Sequence, residues 1–275
     1  MNAVSVIIPA YNEEGAIGSV IERLRRVVPG AEIIVVDDGS ADGTAAAAEA
    51  TGAQVIRRPG NGGYGRSIKD GVNVATNDTI VITDADGTYP VEEIPALLEK
   101  KKAGFDMVVG ARQGKFYRGS LLKRAARFCL KLIVEFATGR RIPDVNSGLR
   151  VFSKAVVSPL FPDICEGFSF STTITLLHHL THRSVAYVPV AYERRTGSSK
   201  VSHLHDTLRT LQYITECLIH YNPLKLTILL CAVVFLVGAV TSFWFGPYAV
   251  LEAFLFTALV FALGCVMEGN RKPRR

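Results

Sequence analysis

Between residues 4 and 110, short apolar runs alternate with longer stretches of helical periodicity. The apolar runs predict strands at Val4–Pro9, Glu32–Asp37, Gln54–Arg57, Thr79–Thr83 and Asp106–Val109. The intervening patterns predict helices near 14–28, 42–51, 64–75 and 92–103. Strands that alternate with helices in this way argue for a parallel sheet covered on both faces. In such sheets ligands bind beyond the carboxyl ends of the strands.

The pattern changes at Leu226. Leu226–Trp244 carries no charge, Phe245-Gly246-Pro247 interrupts it, and Tyr248–Met267 adds a second apolar run with the single acid Glu252. As helices these runs are about 28–30 Å long, close to the hydrocarbon thickness of a bilayer. A buried hairpin of a soluble domain is the alternative, and the length of both runs favours spanning. Lys225, Arg271, Lys272, Arg274 and Arg275 flank the outer ends, whereas the connection has no basic residue. The positive-inside rule then puts both termini in the cytoplasm. Glu252 lies within about one turn of the connection and is read as reaching the interface. Two amphipathic helices come earlier. Leu121, Leu122, Ala125, Phe128, Leu132, Ile133 and Phe136 share a face, with Lys123, Arg124, Arg127 and Lys131 elsewhere. Val201, Leu204, Leu208, Leu211, Ile214, Leu218 and Ile219 repeat the pattern just before the first span. Such faces either pack into a core or lie in a headgroup plane. The expected organisation is a catalytic α/β domain over 1–200, a juxtamembrane helix over 201–225, a two-helix hairpin over 226–267 and a basic tail over 268–275.

Charge sharpens this division. Residues 1–110 hold 10 Lys+Arg against 16 Asp+Glu, and residues 111–225 hold 17 against 7, within a chain of net charge +6. An acidic half followed by a basic half suits a metal–nucleotide site beside a region that meets phosphate or anionic lipid. Nucleic acid is not expected, because no stripe interleaves aromatic and basic residues. The five cysteines are widely spaced without a CxxC, which argues against a disulfide framework or zinc site. The first residues reach Glu13 and Glu14 without a basic region and long apolar run, so no signal peptide is expected.

Candidate chemistry gathers at two acidic strand ends. Val81-Ile82-Thr83 runs into Asp84-Ala85-Asp86, and Ile34-Val35-Val36 runs into Asp37-Asp38. Carboxylates spaced i, i+2 after a broken strand can face one hard cation, Mg²⁺ or Mn²⁺, which prefers oxygen ligands and keeps positions for phosphates. Two rival patterns are weaker. Gly60-Asn61-Gly62-Gly63-Tyr64-Gly65 has the form of a dinucleotide fingerprint, but it lies in the third βα unit and leaves Asp86 unexplained. Asp38 to Glu49 mimics an EF-hand loop, but β-branched residues precede it where a helix is required. Ser40 and Asp42 are better read as turn and N-cap residues.

The whole ordered set resembles glycosyltransferase family 2. It comprises Ile7 to Glu14, Val35 to Ser40 with Asp42-Gly43-Thr44, Asn61 to Gly65, and Asp84-Ala85-Asp86. Gly110-Ala-Arg112, Asp144 to Arg150 and Arg194-x-x-Gly197-x-Ser199-Lys200 narrow the likeness to dolichyl- and polyprenyl-phosphate sugar synthases. The likeness spans residues 4–200. It implies a GT-A-type sheet with helices on both faces.

It further implies that Pro9, Tyr11, Glu13 and Asp38 line a nucleotide, with Asp37 left as a strand-end cap and Arg112 reaching the donor side. Asp84 and Asp86 would hold Mg²⁺ or Mn²⁺ on the diphosphate. Thr88 stands where better-known members carry Gln as a further metal contact, and a hydroxyl is a weaker ligand. Arg124, Ser147, Arg150, Arg194 and Lys200 are expected on the acceptor phosphate. Asp144 is expected to orient these cations or contact the sugar. The implied partners are a UDP- or GDP-linked sugar, a polyprenyl phosphate and membrane lipids, with the apolar spans as a surface for self-association. A processive polysaccharide synthase would carry Gln-x-x-Arg-Trp near the acceptor, whereas the single Trp here is Trp244 inside a span. Transfer to another membrane lipid or to a soluble saccharide remains the alternative.

Overall fold

The computed structural model describes residues 3–118, 120–193, 203–246 and 248–269. The chain divides into two compact units, Met1–Thr210 and Leu211–Arg275. Arg194 and Lys200, both expected at the acceptor, lie outside the described residues.

The first unit is built on a seven-stranded sheet in the order β3-β2-β1-β4-β6-β5-β7. The strands are β1 (Val4–Ala10), β2 (Glu32–Asp37), β3 (Gln54–Arg57), β4 (Thr79–Ile82), β5 (Met107–Gln113), β6 (Arg150–Ser153) and β7 (Val185–Ala191). Helices α1 (Glu14–Val27), α2 (Thr44–Ala50), α3 (Tyr64–Val74) and α4 (Ile94–Lys102) follow the first four strands. Then come α5 (Lys115–Arg118), α6 (Leu121–Thr138), α7 (Lys154–Val157) and α8 (Phe170–Leu180), with α9 (His203–Tyr221) running across the unit boundary. The first five strands and four helices agree with the hydrophobic pattern to within a few residues, except that β5 continues to Gln113.

The sheet is not wholly parallel. Strand β6 is antiparallel to both β4 and β5, whereas β1, β2, β3 and β4 pair in parallel. The reversal matters because Ile82 pairs with Arg150. Two residues further along β4 and two residues earlier on the partner, Asp84 and Gly148 face each other. Every residue of β1 is buried, as expected of a central strand covered on both faces. Val6 and Ile8 pack with Ile17, Ile21 and Leu24 of α1. Ile7 points the other way, where a Cβ on Gly71 of α3 would sit only 2.4 Å from Ile7 Cγ2. Each such buried aliphatic side chain contributes about 1.5–3 kcal/mol over the exposed state.

The second unit contains α10 (Pro223–Phe245) and α11 (Tyr248–Gly269). Pro223–Thr241 and Leu251–Gly269 have mean hydropathy 2.4 and 1.9 and are only 17% and 11% buried. Large apolar side chains such as Phe235, Leu236, Phe254 and Leu255 stand exposed, as a lipid-facing surface requires. The two helices approach closely where a Cβ on Gly264 would lie 2.3 Å from Thr227 Oγ1. Small residues permit such contact between apolar helices, and the Thr227 hydroxyl is satisfied by donating to Pro223 O at 2.9 Å.

Candidate active site

The sheet's carboxyl edge carries a pocket of about 240 Å³ lined by Pro9, Tyr11, Glu13, Asp38, Asp84 and Asp86, together with Asn61, Gly63, Tyr64 and Phe168. Five segments form it, and hydrogen bonds fix them to one another. Asn12 adopts a left-handed conformation at φ 54°. Its N–H donates to Ser40 Oγ at 2.9 Å, and its Oδ1 accepts from Ala41 N–H at 2.7 Å. Glu13 N–H donates to Thr44 Oγ1 at 2.8 Å. The ends of β1 and β2 are thereby stitched together.

Asp38 accepts the N–H groups of Gly62 and Gly63 at 2.8 and 2.9 Å, and Arg58 Nε lies 3.2 Å away. Each carboxylate oxygen retains further acceptor capacity on the pocket side. The glycine-rich segment therefore closes onto Asp38. A Cβ on Gly39, which has φ +76°, would also meet Gly60 Cα at 2.7 Å, so both conformation and space demand glycine there. Asp37 caps its strand end by accepting Ser40 N–H at 3.2 Å. Asp42 accepts Thr44 N–H at 3.0 Å, forming a turn ahead of α2.

Asp84 and Asp86 follow β4 after Thr83. Tyr64 Oη donates to Asp84 Oδ1 at 2.9 Å. Enclosure, with the Asp84 charge beside it, pushes the Tyr64 phenol well above its usual range, so it remains a donor. A Cβ on Gly148 would lie 2.6 Å from Asp84 Oδ1. Gly148 N–H is held by Tyr89 Oη at 2.7 Å. Asp86 Oδ1 accepts both Thr88 N–H at 3.0 Å and Thr88 Oγ1 at 2.7 Å. This corrects the expectation for Thr88. It is fully buried, and its hydroxyl holds Asp86 rather than facing a metal. The oxygen-only donor pair Asp84 and Asp86, pointed by Tyr64 and Thr88, suits a hard divalent cation.

A second cavity of about 540 Å³ lies between α6 and the loop before β6, lined by Arg112, Tyr117, Arg124, Arg127, Phe128, Lys131, Asp144 and Asn146 among others. Its floor is a two-bonded ion pair, Arg112 Nε to Asp144 Oδ2 at 2.8 Å and Arg112 Nη2 to Asp144 Oδ1 at 2.9 Å. Burial opposes the Asp144 charge, but Arg112 outweighs it and holds the carboxyl below its usual range. The Tyr117 ring lies 4.9 Å from the Arg112 guanidinium and 4.6 Å from that of Arg127. Arg112 therefore belongs to this cavity and not to the first pocket, where the sequence reading put it.

Two further expectations are overturned. Arg150 has no exposed surface. It donates to Ser147 O at 2.8 Å, Thr175 Oγ1 at 2.8 Å and Val145 O at 2.9 Å, and so braces the Asp144–Gly148 loop from behind. Ser147 is equally enclosed, its hydroxyl donating to Gly110 O at 2.5 Å. Neither can reach a phosphate from there. Arg124 does line the second cavity, joined by Arg127 and Lys131, which the sequence presents only as the polar side of an amphipathic helix, and by Tyr117, which no sequence motif singles out. Tyr117 lies in α5, whereas Arg124, Arg127 and Lys131 recur at i, i+3 and i+7, about two turns along one face of α6, which is the signal in the sequence. Phe168 carried none.

Residues 5–161 match the profile of Glycosyl transferase family 2. Over 97% of its length the chain is 31% identical to an undecaprenyl-phosphate 4-deoxy-4-formamido-L-arabinose transferase from Klebsiella pneumoniae, spanning 85% of that protein. A dolichyl-phosphate hexose transferase from Haloferax volcanii is 30% identical over 72% of this chain and 86% of its own length. Among solved structures, glucosyl-3-phosphoglycerate synthase from Mycobacterium tuberculosis, crystallised with Mn²⁺, UDP and glucosyl-3-phosphoglycerate, superposes with a TM-score of 0.64 at 21% identity, covering 78% of this chain and 80% of that one. At that identity the likeness establishes the fold, a GT-A-like mixed sheet.

Proposed function

The chain belongs to glycosyl transferase family 2, and from that premise we propose that it moves one hexose from a UDP- or GDP-linked donor to a polyprenyl phosphate at the cytoplasmic face of a membrane, inverting the anomeric centre. The observation that carries this reading is a pair of unlike cavities sharing one loop. Gly148 abuts Asp84 in the acidic pocket, while Asp144 and Asn146 line the cationic cavity. A donor in the first and a phosphate in the second would meet across four residues.

The first pocket takes the nucleotide, with Pro9, Tyr11, Glu13 and Asp38 around the nucleoside. Asp84 and Asp86 would hold Mg²⁺ or Mn²⁺, which supplies charge neutralisation for the departing diphosphate. Arg124, Arg127 and Lys131 balance the acceptor's charge. A phosphate monoester has its second pKa near 6 and is already largely a dianion at neutral pH. It needs orientation and a dry, cationic setting more than a strong base. Its oxygen forms the new bond to C1 while the bond from C1 to the diphosphate breaks, the electron pair leaving on the diphosphate. Asp144 is committed to Arg112 and serves to fix that guanidinium beside the phosphate.

The apolar surface of α6, with Leu121, Phe128 and Leu132 exposed beside Arg124 and Lys131, suits contact with headgroups. The two spans of the second unit would keep the enzyme where a prenyl chain is dissolved. The decisive assay incubates membranes holding the full chain with labelled UDP- and GDP-sugars and undecaprenyl or dolichyl phosphate. Formation of a glycosylated prenyl phosphate is expected. Transfer to a diacylglycerol or a soluble saccharide instead would refute the acceptor.

A further inference from the structure

One aromatic side chain, Phe168, lines the acidic pocket. The Phe168 ring stacks on that of Tyr64, with centroids 6.1 Å apart and planes 15° from parallel. Tyr64 in turn donates to Asp84 and meets Phe170 edge-on at 6.4 Å. Phe168 is thus placed relative to the paired aspartates through two contacts.

Its backbone is fixed as well. Arg66 N–H donates to Glu166 O at 2.8 Å. A Cβ on Gly63 would lie 2.8 Å from Glu166 O, and one on Gly65 2.3 Å from Cys165 O. Glycine at both positions lets the segment before α8 press against the start of α3. Yet the Phe168 side chain stays 46% exposed while it lines the pocket. A rigidly mounted, half-uncovered ring is a surface that a ligand can complete.

The order of the strand ends says which part of the donor arrives there. Asp38 follows β2, Tyr11 follows β1, and Asp84 and Asp86 follow β4, so a nucleoside at the first two and a diphosphate at the last would lie in that sequence along the edge. Beyond Phe168, α8 leads toward the second cavity, because Thr172 Oγ1 donates to Asn146 Oδ1 at 2.5 Å and Asn146 lines that cavity. Phe168 therefore lines the acidic pocket at the point from which α8 runs toward the second cavity, and a sugar reaching from the diphosphate to the acceptor would pass it. A hexopyranose presents a face of C–H bonds, which binds an aromatic face through dispersion and weak C–H contacts.

We propose that Phe168, seated on Tyr64, is a specificity-determining residue that stacks against the C–H face of the hexose on the donor nucleotide. The inference rests on the reading above that the donor is a nucleotide hexose. Isothermal titration with Mn²⁺ on the full chain in detergent tests it, using UDP, UDP-glucose, GDP and GDP-mannose as probes. Wild type should bind a nucleotide sugar more tightly than its nucleoside diphosphate. Phe168→Ala should weaken the nucleotide sugar about tenfold and change the nucleoside diphosphate less than about twofold. Phe168→Trp should retain the affinity, and Phe168→Leu, which keeps bulk without the ring, should lose part of it. Equal losses for both ligand classes, or none for either, overturn the inference while leaving the nucleotide-sugar reading intact. Wild type that binds none of the four probes overturns both.

Discussion

The two cavities differ in how they are held together. The acidic pocket is made of side chains at adjacent strand ends, and its walls are fixed largely by backbone N–H groups given to Asp38, Asp86 and Ser40. The cationic cavity is made of arginines and a lysine on a helix, over a buried ion pair that must itself be stabilised. Charge in the first is thus presented by backbone N–H groups together with the Tyr64 and Thr88 hydroxyls, whereas charge in the second is balanced by other charged side chains. Damage to the first should fall on chemistry, and damage to the second on stability and acceptor affinity.

The largest expected effect tests the first half of that contrast. Replacing Asp84 or Asp86 with Asn should lower turnover by about 10²–10³-fold and abolish the cation dependence of nucleotide binding, with little change in the thermal midpoint. A loss of folding equal to the loss of rate would break the contrast. On the other side, Asp144→Ala leaves Arg112 enclosed without its carboxylate and should cost about 3–5 kcal/mol in denaturant unfolding. Because the Asp144 carboxyl is held below its usual 3.8, its contribution should be complete above that value and vanish as pH falls through the folded pKa. A gap between wild type and variant that closed already at pH 6 would contradict the pairing.

His178, buried in α8, supplies a titration of its own. Burial pushes His178 from 6.5 down to about 4, so the unfolded chain binds a proton that the folded chain refuses between those values. Stability should therefore decline as pH drops from about 6.5, by about 2 kcal/mol at pH 5, and His178→Asn should remove that share of the slope. The smallest expected change is in the cationic wall. Arg124→Ala should raise the KM for the lipid phosphate about tenfold and leave the donor KM unchanged. A matching rise for the donor would merge the two cavities into one functional site.

Legibility followed sequence locality. Asp84 and Asp86 are legible from a strand that breaks into paired carboxylates, Pro9, Tyr11, Glu13 and Asp38 through the family resemblance of their strand-end motifs, and all six line one pocket. A strand followed by a loop places its next residues at the sheet edge, so adjacency in sequence becomes adjacency in space. Arg150 and Ser147 were misplaced for the opposite reason. The sequence shows a polar residue but not which side of a loop it faces, and the reversed strand β6 turns both inward. Thr88, whose part at the metal the sequence leaves open, gives its hydroxyl to Asp86 two residues earlier. Phe168 passed unnoticed because its significance depends on Tyr64, which lies about a hundred residues earlier.

Hydrophobic periodicity and strand-end acids by themselves determined a layered α/β unit, an acidic carboxyl edge and two helices apolar enough to cross a bilayer. These properties follow from short-range rules, namely strand alternation, helix repeat and length. The antiparallel insertion of β6 was decided in three dimensions, and with it the approach of Gly148 to Asp84, the pairing of Arg112 with Asp144 and the burial of Arg150. Pairing between distant segments is settled by which faces bury together, and no local pattern encodes it.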